Sequence, residues 1–491
     1  MTVTPEIDVD IRANIALPPT DLLIGGEWQP AAAGERFDVI DPVTERVIAQ
    51  VARGREADVE RAVAAARAAV DGGAWSKLSG VERGKLLFKL ADLMERDFRP
   101  MTLVETLDIG QPLKNPAGAI AALRYYAGWA DKIDGRHVSL PDANGRPTHT
   151  YVRREPIGVV AAITPWNSPL MTGAWKIAPA LAAGCSVVIK PPEDAPLSTL
   201  YLGALALEAG FPAGAINIVP GFGLEAGAPL VAARGVDKVT FTGSTAVGRQ
   251  IGATATAALK AVTLELGGKS PQVVFADADI DRHIPMMARQ FYLNSGQVCA
   301  AGSRLLVQRS ALDRVLEGVA AQLKKVRVGD PFDPRTQIGS LISRKQFERV
   351  SDYIEQGRSQ AELVTGGNRI GDSGFFVEPT LFTGTNDIVI AQEEIFGPVG
   401  LAVPFDTYDE AIRLANDTPY GLASVVYTSD ISTAHRAAAD IKAGMVRVNG
   451  GASVPALQVP FGGMKASGVG RELSYSGIEA CTVEKTVSFE L

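Results

Sequence analysis

Histidine and cysteine are scarce in this chain, which holds four of the first and three of the second in 491 residues. Four histidines leave little from which to build a metal centre, and no metal is expected. The cysteines, Cys185, Cys299 and Cys481, do not make a disulfide framework, so a reducing cytoplasm is the expected compartment. Long apolar runs are missing too. No stretch of about 18 apolar residues occurs, which excludes a membrane-spanning helix. The first twenty residues carry acids and prolines without an apolar centre, so no secretory leader is expected. Positive charge is not in excess, and a net charge of −7 gives no electrostatic footprint for nucleic acid. No internal repeat is found, and no low-complexity tract beyond an Ala-rich helix at 62–69. What is present is an ordinary globular composition, 46% hydrophobic and 21% charged, over a length too great for one core. Two or three domains are expected, and an enzyme.

Leu22-Leu23-Ile24 and Trp28 flank Gly25-Gly26 and read as a hairpin. A second strand pair is predicted at Phe37–Ile40 and Val47–Val51. Helices are predicted over Glu56–Val70 and Val81–Arg96, where apolar residues recur at three- and four-residue spacing. Asp58, Glu60, Arg61 and Arg67 lie off the apolar stripe of the first and read as a solvated face. Asp134–Arg154 breaks the rhythm with Pro141, Asn144-Gly145 and Pro147 before alternating over Thr148–Val152, an extended arm with which Thr482–Phe489 could pair.

From 159 to 267 the pattern is regular. Val159–Thr164, Ser186–Lys190, Ala215–Val219, Val239–Thr242 and Val262–Leu266 read as buried strands, with helices at Leu170–Ala182, Leu197–Glu208, Leu224–Ala233 and Ala246–Ala257. This alternation means a parallel sheet with helices on both faces, and ligands of such sheets bind at the carboxyl ends of the strands. Polar, glycine and proline residues gather there, as a nucleotide site needs. No G-x-G-x-x-G is found; Gly221, Gly223 and Gly227 are spaced one residue too long. Thr242-Gly243-Ser244-Thr245, with Gly248 following, opens a helix that could meet a pyrophosphate with free N–H groups, or is an ordinary helix cap. Lys190 and Glu193 form a cation–carboxylate pair that could hold adenosine ribose hydroxyls, or an exposed ion pair; a glutamate there would repel the extra phosphate of NADP.

After 268 the alternation resumes, with strands at Gln272–Phe275, Arg304–Gln308, Gly400–Phe405, Ser424–Tyr427 and Met445–Asn449. Helices are predicted at Asp279–Leu293, Ala311–Val326, Tyr408–Ala415 and Ser432–Lys442, and Val377–Leu381 reads as a connecting segment. Within this second α/β domain lies Phe291–Arg304, where Gly296, Ala300, Ala301 and Gly302 surround Cys299 with little bulk. Leu264-Glu265-Leu266-Gly267 places a lone carboxylate at the junction of the two domains, able to face Cys299 across a cleft. A thiol nucleophile and a separately held base are a minimal kit for making and hydrolysing a thioester. The competing readings are a structural cysteine and a solvent-facing glutamate.

Pro165-Trp166-Asn167, Phe241-Thr242-Gly243-Ser244, Leu264-Glu265-Leu266-Gly267-Gly268-Lys269-Ser270, Gly296-Gln297-Val298-Cys299, Glu393-Glu394-Ile395-Phe396-Gly397-Pro398-Val399 and Pro460-Phe461-Gly462-Gly463-Met464-Lys465 occur in this order. Together they closely resemble the NAD(P)-dependent aldehyde dehydrogenase superfamily over roughly residues 20 to 485. The resemblance implies an α/β fold of two doubly wound parallel-sheet domains plus a small β oligomerisation arm. The NAD-binding domain would take 1–130 and 153–266, the catalytic domain 267–474, and the arm 131–152 and 475–491, joining subunits into a homodimer or homotetramer. It implies Cys299 as nucleophile, Asn167 as oxyanion donor, Glu265 as the base that activates water, and Lys176 near the centre. Cofactor contacts implied are Thr164, Pro165, Trp166, Lys190, Glu193, Gly223, Phe241, Thr242, Gly243, Ser244, Gly248, Leu266, Gly267, Glu394 and Phe396, with NAD preferred over NADP.

Positions implied to line the substrate tunnel are Ser168, Met171, Thr172, Trp175, Leu293, Val298, Pro455 and Phe461, mostly apolar. The competing reading of each is core packing, which stands level with pocket lining for Met171 and Leu293. Trp175 stands where an arginine would favour a carboxylate-bearing semialdehyde, and no Lys or Arg occurs from Ser453 to Phe461. An uncharged, bulky aldehyde, aromatic or terpenoid-like, is therefore expected. Small residues and proline across Val448–Pro455 depart from the bulkier side chains of many relatives. The alternatives are a CoA-acylating semialdehyde dehydrogenase, against which Glu265 argues, and a cysteine hydrolase or silent scaffold. The hydrolase needs a histidine near Cys299, and His283 lies sixteen residues back.

Overall fold

The computed structural model describes residues 9–112, 115–450 and 456–490. Five parallel strands make the centre of an eight-stranded sheet, in the order Ile216–Ile218, Ser186–Lys190, Val159–Ile163, Lys238–Thr242 and Ala261–Glu265. Numbered along the chain, that order is third, second, first, fourth, fifth. The direction of winding therefore reverses between Val159–Ile163 and Lys238–Thr242, and a crevice opens outside their carboxyl ends. The hairpin Leu22–Ile24 with Glu27–Gln29 adds antiparallel to one edge, and Gly468–Val469 returns from far down the chain to close the other.

A seven-stranded sheet follows, in the order Glu362–Thr365, Thr380–Thr383, Val399–Phe405, Arg304–Gln308, Pro271–Val274, Ala423–Tyr427 and Met445–Val448, parallel except for the first. Both sheets are buried on two faces by helices, so their inner strands are continuous apolar runs. A third sheet pairs Thr482–Glu490 with Thr148–Pro156 over nine residues, and Arg136–Val138 adds to the far side. The arm strands expected from the sequence do pair. No helix among the described residues is long and apolar enough to cross a membrane.

Two expectations need correcting. Asp58 is not on a solvated face: it is 1% exposed and accepts bonds from the Arg55 and Ala32 backbone N–H groups and from Arg61. In the first turn of a helix a carboxylate can satisfy unpaired N–H groups, which periodicity cannot reveal. Thr380–Thr383, in part assigned to a connecting segment, is a full strand of the second sheet. Three of the longer helices have no counterpart in the sequence reading, Phe98–Ile109, Ala117–Ala127 and Arg344–Gln360, nor do the short ones Val9–Ala13, Val389–Gln392 and Ser474–Glu479. The first is buried almost all round from Met101 to Ile109, so it shows no apolar stripe.

Candidate active site

Cys299 follows the helix Ile280–Tyr292 through a tight, unusual turn. Asn294, Ser295 and Gly296 all have positive φ, of 55°, 54° and 71°. The turn is held by side chains: Gln111 donates to Ser295 Oγ at 3.0 Å, Ser295 donates to Gly339 O at 2.9 Å, and Asn294 donates to Gln297 O at 3.1 Å. Strained backbone that is pinned in this way marks a position whose geometry matters. On the other side, the Asn167 side-chain amide donates to Gln297 O at 2.9 Å, so the first sheet's crevice and the cysteine loop are joined directly. The backbone of Gly268 packs on the Cys299 carbonyl, where a side chain would collide.

Glu265 ends the last parallel strand of the first sheet, 2% exposed, with no hydrogen-bond partner for either carboxylate oxygen. Burial raises its pKa well above the usual carboxylate range, and the negative charge of Glu472 pushes in the same direction. Cys299 is half-exposed as a residue, yet burial of its thiol pushes the pKa up to about 12, helped by the charges of Glu394 and Glu265. The charges of Glu394 and Glu265 thus act in the same direction as burial on the thiol.

Below them lies a polar network. Lys176, on the helix Pro169–Ala183, donates to Glu472, to Thr242 Oγ1 at 2.7 Å and to Thr240 Oγ1 at 3.3 Å. Thr240 and Thr242 share a sheet face because they alternate along Lys238–Thr242. Glu472 was not among the sequence candidates; it sits 207 residues beyond Glu265 in an unremarkable Arg471-Glu472-Leu473 context, and only its flanking glycines hinted at a turn.

The crevice residues fit a dinucleotide. A Cβ at Gly243 would strike the Phe241 ring, and one at Gly248 would strike Leu266, while Gly223 has open space beside it. Ser244 caps the helix Thr245–Ala257 by accepting from Val247 N, leaving other first-turn N–H groups free for an anion. Thr164 Oγ1 is buried without a partner. Lys190 Nζ meets Glu193 at 2.5 Å, with the lysine enclosed and the glutamate partly open. Leu224 and Val247, exposed apolar side chains on the first turns beyond two of these strands, were missed.

Nearer Cys299, Glu394 accepts from Gly268 N at 3.0 Å, and burial lifts its pKa to about 7. Its oxygens occupy the space a side chain at Gly267 would need. Phe396, at φ 59°, stands edge-on to Trp166 at 5.1 Å, beside Pro165. Of the expected tunnel residues, Trp175 and Phe461 are in ring contact at 5.3 Å. Met171, Leu293 and Val298 are half-buried. Ser168 and Thr172 spend their hydroxyls on the carbonyls of Asn167 and Ser168, which leaves them small rather than polar in character. Pro455 lies outside the described residues. Among the described residues no cluster of three or more His, Cys, Asp or Glu could hold a metal ion.

Known proteins are similar to this chain over nearly its whole length. A family profile described as "Aldehyde dehydrogenase family" matches residues 28–487. An aldehyde dehydrogenase of Emericella nidulans is 48% identical over 96% of this chain and 95% of the relative. Human retinal dehydrogenase 2 is 44% identical over 97% of this chain and 93% of its own length. Among solved structures, the NAD+ complex of a Bacillus cereus aldehyde dehydrogenase superposes with a TM-score of 0.94 at 41% identity, covering both chains fully. An indole-3-acetaldehyde dehydrogenase of P. syringae in complex with NAD+ and IAA gives 0.94 at 43%, covering 98% of each chain.

Proposed function

The chain belongs to the aldehyde dehydrogenase family and is an NAD-dependent aldehyde dehydrogenase, and we propose that it oxidises aldehyde to acid through a covalent adduct on Cys299. The observation that carries this reading is the pairing of a thiol with a buried, unpartnered carboxylate, Glu265, whose charge reaches it.

Cys299 Sγ, as thiolate, adds to the aldehyde carbon to give a thiohemiacetal. Its raised pKa means that the thiol must first lose its proton to solvent, which leaves Glu265 free to take the proton of water in the later step. The developing oxyanion is received by Asn167, which has a second amide N–H beyond the one given to Gln297 O, together with the backbone N–H of Cys299. One such donor is typically worth about 3 kcal/mol to the transition state. NAD, when bound, supplies the hydride acceptor. Water then adds to the thioester carbon, its proton passing to Glu265, and the C–S bond breaks to release the acid and restore the thiolate. A desolvated carboxylate is a stronger base than one in water, so its isolation serves this step. Glu394 is suited to hold the nicotinamide ribose, with Phe396 and Trp166 beside that ring. Lys190 and Glu193 hold the adenosine ribose, and Leu224 and Val247 offer an apolar surface to the base.

The substrate class is an uncharged, bulky aldehyde, aromatic or terpenoid-like. Trp175, Phe461, Met171, Leu293 and Val298 support it, as do relatives named for retinal and indole-3-acetaldehyde. Neighbours named for betaine aldehyde and gamma-glutamyl-gamma-aminobutyraldehyde make charged substrates the necessary comparison. We assign the protein to the cytoplasm as a homo-oligomer, with the three-stranded arm and the edge strand Met445–Val448 as candidate contacts.

The test is NADH absorbance against a panel of aromatic, terpenoid, aliphatic, cationic and carboxylate-bearing aldehydes, with and without coenzyme A. Steady turnover without coenzyme A, abolished in Cys299→Ala, is expected. Turnover that needs coenzyme A would favour acyl transfer, and a more than tenfold preference for a carboxylate-bearing substrate would overturn the substrate class.

A further inference from the structure

Glu265 is buried and has no hydrogen bond to orient its carboxylate. The space beside it is kept by a glycine. A Cβ at Gly462 would lie 2.7 Å from Glu265 Oε1, 2.8 Å from Arg471 Cδ and 3.1 Å from Gly470 O. The φ of Gly462 is +153°, a conformation that a residue with a side chain rarely adopts. The chain around it has little freedom to shift. Phe461 N donates to Glu472 O at 2.7 Å and Glu472 N returns a bond to Phe461 O at 2.8 Å. Arg471 Nη1 donates to Gly463 O at 2.9 Å and Gly470 O at 2.6 Å.

We propose that Gly462 is a positioning residue for hydrolysis: its bare backbone is the seat that holds the Glu265 carboxylate desolvated and aimed between attacks. The proposal rests on the reading of Glu265 as the water-activating base. A methyl group at this seat would drive Oε1 outward by several tenths of an ångström, because carbon and oxygen do not rest stably at 2.7 Å. Small misplacements of a catalytic group cost large factors in rate, on the order of 10²-fold for 1 Å. The effect should fall on the step that uses Glu265 against water, and not on hydride transfer.

Gly462→Ala is therefore expected to keep a rapid burst of about one NADH per active site while steady turnover falls at least tenfold. The ionisation governing the slow phase should move to lower pH, since a displaced carboxylate regains water. Equal loss of burst and turnover, or no loss of either, would overturn the proposal. Glu265→Gln is measured alongside: if it does not itself slow the post-burst phase, the reading of Glu265 fails and not the seat alone. Glu265→Asp, whose carboxylate is withdrawn by one methylene, gives the discriminating background. There the methyl should cost less than threefold, against at least tenfold beside glutamate. An equal cost in both backgrounds contradicts the seat. If Gly462→Ala does not fold, recovery of folding in the Glu265→Asp double variant supports the contact, and failure of both shows that the glycine serves only backbone conformation.

Discussion

Lys176→Met probes the pair buried beneath the site. The ammonium has 0% side-chain exposure and three partners, Glu472, Thr242 Oγ1 and Thr240 Oγ1. Methionine matches the lysine stem in length and needs no polar partner, so the cavity cost is small. The cost comes from Glu472, which among the described residues keeps only the Thr240 hydroxyl at 3.1 Å as a donor. Removing one member of a buried pair costs about 3–5 kcal/mol because the other charge is left uncompensated. Lys176→Met should lose about that much, and Lys176→Met with Glu472→Leu should recover most of it, since apolar replacement of both partners is often neutral. Unfolding midpoints of the two single variants and the double, taken at one scan rate, give the coupling directly. A loss below about 1 kcal/mol in Lys176→Met, or additive losses in the double, would refute the argument that this pair is desolvated and mutually dependent.

Glu193→Ser should relax discrimination against NADP by at least tenfold in kcat/KM, with little change for NAD; an unchanged NAD/NADP ratio would move the adenosine ribose away from this loop. Glu265→Gln should give an NADH burst followed by turnover slowed roughly 10²–10³-fold, read in a stopped-flow trace. Because burial raises Glu265, the hydrolytic step should accelerate as pH rises through that raised pKa. Glu472→Gln removes a like charge and frees Lys176 to face Glu265, both of which lower that pKa, so the rising limb should shift to lower pH.

The parallel strands were legible because each is covered on both faces, which turns Ser186–Lys190 or Val159–Ile163 into an unbroken apolar run. Cys299, Glu265 and Asn167 stood out by being reactive or polar at strand ends and among glycines. Glu472 did not, because what gives it meaning is Lys176, 296 residues away. Asp58 was misread for a related reason: outward charge and inward cap have the same spelling. The left-handed Asn294–Ser295 pair was also invisible, since neither residue type requires positive φ and only the packing around it imposes one.

The strand Gly468–Val469 joins the first sheet beside Ala261–Glu265 only after the chain has passed through the whole of the second. The core of the first sheet likewise includes Phe461, Leu473, Ile478 and Cys481. A nascent chain that has not yet delivered these residues has an open sheet edge and an uncovered core, however long it has waited on the ribosome. Pairing across so many intervening residues is slow, and unpaired edges invite aggregation in the meantime. Truncation just before Phe461 should thus cost solubility as well as chemistry. Synthesis of the stretch from Phe461 to Cys481 is then the step that commits the molecule to its native state.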